Sequence, residues 1–170
     1  PVVFLHGSGS GASGHSNFKG NYPFLADNGY RVIVPDHIGY GYSDKPQDVE
    51  YTLDFFVECL KQQLDAIGIE KCSLIGNSLG GAIALKFALD YPKMVSTLNL
   101  MAPGGVEEQA DYFIMPGMQI MKEVFTGPPT RDTLEQFIRK ALVYKDDCVD
   151  DELVDERWGI FQKQNTQVIT

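Results

Sequence analysis

Ser78 is the residue of this chain best placed to do chemistry. It stands in Gly76-Asn77-Ser78-Leu79-Gly80, a Gly-x-Ser-x-Gly pattern. A serine hydroxyl becomes an effective nucleophile when a base takes its proton and fixed donors stabilise the oxyanion that its attack creates. In this pattern the small flanking residues let a strand and a helix approach closely, while the serine takes a strained backbone conformation that pushes the hydroxyl out above the strand end. The Leu79 N–H, at the start of the helix, then points where an oxyanion would form. The five residues alone fit a solvated serine on a glycine-rich turn equally well. A strand before and a helix after decide for the nucleophile. A phosphate loop is excluded, since no Lys-Ser or Lys-Thr pair follows the glycines and the three-glycine dinucleotide spacing is not met.

The flanking elements supply that context. Cys72 to Ile75 is an apolar run of strand length, and from Leu79 onward Ala82, Ile83, Leu85, Phe87, Ala88 and Leu89 read as a helix stopped before Pro92. Val2 to Leu5 reads as a buried strand ending at His6 and Gly7, followed from Gly7 to Gly14 by a loop alternating Gly with Ser and Ala, whose amides can turn toward a bound oxygen. Tyr22 to Asn28 reads as a short helix closed by Gly29, Arg31 to Val34 as a strand, and Asp36 to Asp44 as a turn-rich loop. From Thr52, an N-cap, the residues Leu53, Phe56, Val57, Leu60, Leu64 and Ile67 fall at helical spacing up to Gly68. Val95 to Met101 gives a further strand. Strands alternating with helices predict a parallel sheet with right-handed crossovers, an α/β architecture.

Beyond Gly105 the strand signal stops. Leu134, Phe137, Ile138, Ala141 and Leu142 follow Thr130 at helical spacing, and Leu153, Val154, Trp158 and Phe161 do so after Asp150, with Gly127, Pro128 and Pro129 as breakers. The expected organisation is an α/β core over 1–104 and a helical insertion over 105–170. An insertion after a strand of such a sheet is a candidate lid.

Composition narrows the partners. A chain of 170 residues that is 44% hydrophobic suffices for one core, and a formal charge of −9 repels nucleic acid and anionic membranes. Cys59, Cys72 and Cys148 lack metal or redox spacing and read as thiols of a reducing compartment. No run is long enough for a membrane span. The expectation is a cytoplasmic protein with a small-molecule substrate, no metal and no cofactor; a homo-oligomer is left open. Opening on a buried strand without a methionine, the chain also reads as a fragment.

The residues resemble the α/β-hydrolase superfamily and, within it, the meta-cleavage product hydrolases, which cut carbon–carbon bonds in ring-fission products of aromatic catabolism. The matching segments are His6-Gly7-Ser8-Gly9-Ser10-Gly11-Ala12, Ser16-Asn17-Phe18, Gly29-Tyr30-Arg31-Val32-Ile33, Gly76 to Gly81, Leu100 to Gly105, and Arg157-Trp158 with Gln162. Departures are Ser10, where the family usually has proline, and His15, where an aromatic is usual and where the pocket could be altered. The resemblance implies an α/β-hydrolase fold and a substrate of the 2-hydroxy-6-oxohexa-2,4-dienoate type, a vinylogous 1,5-diketone. It implies Ser78 as the catalytic serine, Ser8 and Gly9 beside Leu79 as oxyanion donors, and Asn17, Asn77, Arg157 and Trp158 as substrate-binding residues. From its own surroundings in sequence, Arg157 reads as a solvated charge on a helix face.

In this fold the triad runs Ser, Asp or Glu, then His along the chain. Here His6, His15 and His37 all precede Ser78. His6 reads as structural, and His15 and His37 as solvated loop imidazoles. Asp90, Asp111, Asp146, Asp147, Asp150, Asp151 and Glu152 read as surface. The catalytic acid and base are therefore expected beyond Thr170. Two other readings share the elbow: a carboxylesterase or thioesterase, which would not need Asn17, Asn77 or Arg157, and a non-catalytic ligand-binding relative. Dehalogenases and epoxide hydrolases of this fold are disfavoured because they use a carboxylate where Ser78 stands.

Overall fold

Four short apolar segments pair side by side into a parallel sheet in the computed structural model, which describes residues 1–108, 111, 114–124 and 127–163. The strands are β1 (Val2–Leu5), β2 (Val32–Ile33), β3 (Cys72–Asn77) and β4 (Val95–Met101), in the order β2-β1-β3-β4. Val2 sits opposite Val32 on one side and Ser73 on the other, and Leu74 sits opposite Leu98. Each crossover carries helix: α1 (Gly14–Phe18) and α2 (Tyr22–Asp27) between β1 and β2, α3 (Leu53–Ala66) before β3, and α4 (Leu79–Asp90) before β4. Parallel strands require such long returns, so the α/β expectation holds.

The core lies between the sheet and the α3–α4 layer. Val3, Leu5 and Leu74 from the sheet meet Phe56, Val57, Leu60 and Leu64 of α3 and Ile83, Ala84 and Phe87 of α4. The α3 residues recur every three or four positions, which places them on one face. Thr52 caps that helix by accepting the Phe55 N–H at 3.2 Å. The sequence did not suggest α1, a helix of five residues, yet Ser13 and Ser16 form a reciprocal capping box at its start.

After β4 the described residues are helical: α5 (Pro116–Val124), α6 (Arg131–Phe137) continuing into a wider turn over Ile138–Leu142, and α7 (Asp151–Phe161). Thr130 caps α6 and Asp150 caps α7, as their positions predict. These helices bury their own cluster, Leu134, Phe137, Ile138, Val149, Leu153 and Val154. Arg131 pairs with Glu135 on its own helix and with Asp151 and Asp155 across the α6–α7 seam. Asp90, Asp111, Asp147, Asp150, Asp151 and Glu152 are exposed, as expected; the side chain of Asp146 lies outside the described residues. Among the described residues no helix is long and apolar enough to cross a membrane.

Three glycines let α4 settle on the sheet. A Cβ at Gly80 would lie 2.0 Å from the Leu5 carbonyl oxygen, one at Gly76 would lie 2.4 Å from the Gly80 oxygen, and one at Gly81 would lie 2.8 Å from Pro103 Cα. All of these obstacles are backbone. Gly80→Ala should therefore destabilise the full-length protein by about 2–3 kcal/mol, as overpacking does, whereas Gly29→Ala, a positive-φ position with open space around it, should cost only about 1 kcal/mol. Urea denaturation midpoints check this, and equal losses would contradict it.

Candidate active site

Ser78 links the end of β3 to α4 with φ 52° and ψ −115°, a backbone conformation that L-residues rarely adopt. Three hydrogen bonds hold it there: its N–H donates to the Met101 carbonyl at 3.0 Å, and its own carbonyl accepts from Ala82 at 3.1 Å and Gly104 at 3.0 Å. The elbow is thus tied to the end of β4. Ala102, just after β4, is the other described non-glycine residue with positive φ. Two strained residues at neighbouring strand ends mark a place where geometry is held at a cost, as at functional sites.

The serine opens onto two cavities. One, of about 550 Å³, is lined by Gly7, Ser8, Gly9, Asn17, Asn77 and Arg157, with Ile138, Leu142, Val143 and Leu153 from the helical segment forming an apolar wall. The other, of about 400 Å³, is lined by Ser8, Leu53, Leu79, Ala82, Pro103, Gly104, Gly105 and Glu107. Ser8 and Ser78 belong to both. The N–H of Leu79 is the first of α4 and has no intrahelical acceptor. Ser8, Gly9 and Leu79 thus line the cavities that Ser78 opens onto.

Arg157 is the largest departure from what its own sequence surroundings suggest. Rather than lying on a solvated face, it is 6% exposed, and its Nε and Nη2 donate to the Ser10 carbonyl at 3.1 and 2.8 Å. Burial lowers its pKa to about 10, so the guanidinium keeps its charge at neutral pH. Among the described residues no carboxylate pairs with it. A buried cation beside a cavity without an internal counter-ion favours an anionic ligand. It also explains two glycines. A Cβ at Gly9 would come 2.9 Å from Arg157 Nη2, and one at Gly11, where φ is +66°, would come 2.0 Å from the Arg157 carbonyl oxygen. The glycine loop is therefore the seat of α7 as well as a source of amides. The contact is to the Ser10 backbone carbonyl, so it does not use the serine side chain.

The asparagines brace each other. Asn17 Oδ1 accepts from the Gly7 N–H at 3.3 Å and from Asn77 Nδ2 at 3.4 Å, and Asn17 Nδ2 donates to the Ser13 carbonyl at 3.1 Å. This fixes the orientation of the Asn17 amide, with Asn77 stretched over the cavity floor. Trp158 is not brought to either cavity. It packs on the helical cluster, its ring stacked on Phe161 with centroids 5.6 Å apart. His15 is exposed, bonded through Nδ1 to the Tyr22 hydroxyl, and lines neither cavity, so the suggested effect of His15 on the pocket is not seen.

The reading of His37 as a solvated imidazole is corrected. His37 is 6% exposed and lies against the fully buried His6, ring centroids 4.2 Å apart and planes tilted by 37°. His6 Nε2 accepts the His37 backbone N–H at 3.0 Å, His6 Nδ1–H donates to the Gly7 carbonyl at 2.8 Å, and His37 Nε2–H donates to the His6 carbonyl at 2.9 Å. These bonds staple the loop after β2 to the loop after β1. Asp36 adds to the clamp by accepting the N–H groups of Gly14 at 2.6 Å and Tyr42 at 2.7 Å. Neither imidazole is free to serve Ser78 as a base.

Burial lowers both imidazole pKa values, that of His6 to about 4. Unfolded, each would titrate near 6.5, so as pH falls from 6.5 toward 4 the unfolded state takes up protons that the folded state refuses, and stability is lost. The His6 contribution at pH 5 is about 2 kcal/mol. Urea unfolding at pH 7 and pH 5 should show this loss, and an unchanged stability would contradict it.

A parallel sheet, a serine on a strained strand-to-helix turn and helices following β4 define a hydrolase-type scaffold. The chain belongs to the alpha/beta hydrolase fold family, whose pattern matches residues 1–166. It is 38% identical over 164 residues to a 2-hydroxy-6-oxo-6-phenylhexa-2,4-dienoate hydrolase of Comamonas testosteroni, covering 95% of this chain and 56% of that protein. It is equally similar, with the same coverage, to a 2-hydroxy-6-oxononadienedioate/2-hydroxy-6-oxononatrienedioate hydrolase of the same organism. Among solved structures, a mutant meta-cleavage product hydrolase from Pseudomonas fluorescens complexed with acetates superposes with a TM-score of 0.83 at 29% identity, covering 99% of this chain and 60% of that one. The chain thus spans somewhat over half the length of the relatives it matches.

Proposed function

We propose that this chain carries the nucleophile, oxyanion and carboxylate-binding parts of a serine hydrolase that cleaves a carbon–carbon bond in 2-hydroxy-6-oxohexa-2,4-dienoates, ring-fission products of aromatic catabolism. The observation that carries the reading is Arg157: a buried cation, with no carboxylate paired to it among the described residues, lining the same cavity as Ser78. A neutral ester has no charge for it to bind. The relatives named for dienoate substrates support the same class.

In this reading the substrate carboxylate lies toward Arg157, with an amide donor of Asn77, held in place by Asn17, at the floor, and the C6 carbonyl lies over Ser78. The dienol first becomes a ketone: the 2-hydroxyl gives up its proton, C5 gains one, and C5 becomes a saturated centre next to the carbonyl. An oxygen nucleophile then adds to C6. The resulting oxyanion sits against the Leu79 N–H and an amide of Ser8 or Gly9, each donor contributing about 3 kcal/mol. The C5–C6 bond breaks, its electron pair runs into the dienolate, and a proton completes 2-hydroxypenta-2,4-dienoate while C6 leaves as a carboxylic acid with the oxygen of water. The base for Ser78 is assigned to no described residue. The helices described after β4 act as the lid, with Ile138, Leu142 and Val143 covering the dienoate. The three unpaired cysteines and the acidic surface support a cytoplasmic location and a small-molecule partner.

The test compares the full-length protein on a 6-phenyl dienoate and on a neutral nitrophenyl ester. The reading expects the dienoate kcat/KM to exceed that of the ester by at least about a hundredfold, since only the dienoate engages the cation. Ester turnover without dienoate turnover would favour the carboxylesterase, and tight dienoate binding without turnover the binding protein.

A further inference from the structure

We propose that Lys19 stands at the entrance of the Arg157 cavity and speeds the arrival of an anionic substrate there, a kinetic role separate from holding the substrate once it is inside. The inference rests on the dienoate reading above and adds the route by which the anion reaches Ser78.

The need arises from charge. The chain carries 23 acidic against 14 basic residues, a formal −9, so its field at a distance repels the anion that its buried arginine is placed to hold. The lining of the Arg157 cavity runs from buried to exposed: Ala12 and Arg157 are buried, whereas Lys19 and Asn21 on one side and Leu142 and Cys148 on the other are exposed. The entrance therefore lies between the chain just after α1 and the helical segment. Arg157 is too deep to be the first charge that an incoming anion meets. Apart from it, Lys19 is the one charged residue among the described lining residues of this cavity, while the second cavity at Ser78 has Glu107 instead. An anion is thus attracted at one opening and repelled at the other.

The backbone that carries this ammonium is tied to the cavity floor. Lys19 closes α1, its N–H donating to the His15 carbonyl at 2.8 Å, and it follows by two residues Asn17, whose amide is fixed by the backbones of Gly7 and Ser13. Among the described residues Lys19 pairs with no carboxylate, whereas Lys61 is neutralised by Asp65, and Lys86 by Asp54 and Asp90. Its charge is therefore left to act on what approaches the entrance. A rim charge of this kind changes the association rate and its salt dependence more than the dissociation rate.

The experiment follows binding of a 6-phenyl dienoate to the full-length Ser78→Ala protein by stopped-flow absorbance, with Lys19→Glu or Lys71→Glu added. Lys71 is exposed just before β3, at the end of that strand opposite Ser78, so the two changes alter net charge equally and differ only in place. At about 20 mM salt, Lys19→Glu should associate about threefold to tenfold more slowly than Lys71→Glu, the scale of one reversed charge within a Debye length, and dissociate at nearly the same rate. At about 0.5 M salt, where screening leaves only a few ångströms, the two should associate alike. With Ser78 intact, kcat/KM for the dienoate should fall in the same proportion, with kcat and the turnover of a neutral nitrophenyl ester unchanged. Equal association rates at low salt would overturn the inference. So would a slowing that persists at high salt, or a change in dissociation alone, either of which would make Lys19 an ordinary binding contact. Binding of the dienoate to none of these proteins, together with no cleavage by the unaltered one, would overturn the dienoate reading itself, and the inference with it.

Discussion

In the full-length protein, Ser78→Ala should reduce cleavage of a 6-phenyl dienoate by about a thousandfold or more, the usual scale for loss of a catalytic serine, while changing dienoate affinity little. The hydroxyl acts in the chemical step, whereas the groups placed to bind the substrate are Arg157, Asn17 and Asn77. Alanine also fits the site. The strained φ of 52° is set by the Met101, Ala82 and Gly104 backbone contacts, which alanine keeps. Single-turnover absorbance should show the bound chromophore forming at the normal rate and then persisting. Unchanged product formation would remove Ser78 from the chemistry, and loss of binding together with turnover would point to a collapsed elbow.

Arg157→Ala should have the second largest effect. Removing one partner of a desolvated ion pair costs roughly 2 to 5 kcal/mol, or about 30-fold to several thousandfold in kcat/KM. A neutral ester makes no such pair, but its hydrolysis should still suffer, because Arg157 also holds the Ser10 carbonyl of the loop that carries Ser8 and Gly9. Two hydrogen bonds to one carbonyl support that loop by about 1–2 kcal/mol. The ester should therefore lose about 5- to 30-fold, and the dienoate that loss together with the ion-pair cost. Arg157→Lys should restore part of the dienoate activity, since it keeps the charge and loses the planar fork. The ratio of the two kcat/KM values at fixed ionic strength is the readout. Equal losses on both substrates would reduce Arg157 to a strut between lid and loop.

Much of this site was legible in the sequence because its signals are local. A short apolar run, a Gly-x-Ser-x-Gly turn and a following helix specify the elbow within some twenty residues, and Thr52, Thr130 and Asp150 cap the helices that their positions predict. Arg157 was not legible in that way. Asp151, Glu152 and Asp155 on the same helix are acidic and exposed, and its burial depends on a loop 147 positions away in sequence. The signal that could have found it lies in Gly9 and Gly11, each of which leaves room for a part of Arg157. The buried His6–His37 pair was missed for a related reason: loop imidazoles are solvated by default, and only the parallel pairing of β1 with β2 brings these two strand ends together. Trp158 sits beside Arg157 in sequence, but successive helix positions face about 100° apart, so the tryptophan turns to the helical cluster while the arginine turns to the loop.

The central claim is that Ser78 and Arg157 act on one substrate and that its C5–C6 bond is the one broken. The most direct measurement is product analysis of a 6-phenyl dienoate incubated with the full-length protein in ¹⁸O-labelled water. The account predicts benzoate and 2-hydroxypenta-2,4-dienoate in equal amounts, with label from the solvent in the benzoate carboxyl and none in the dienoate. Disappearance of the chromophore without benzoate, or an unchanged dienoate beside active ester hydrolysis, would contradict it.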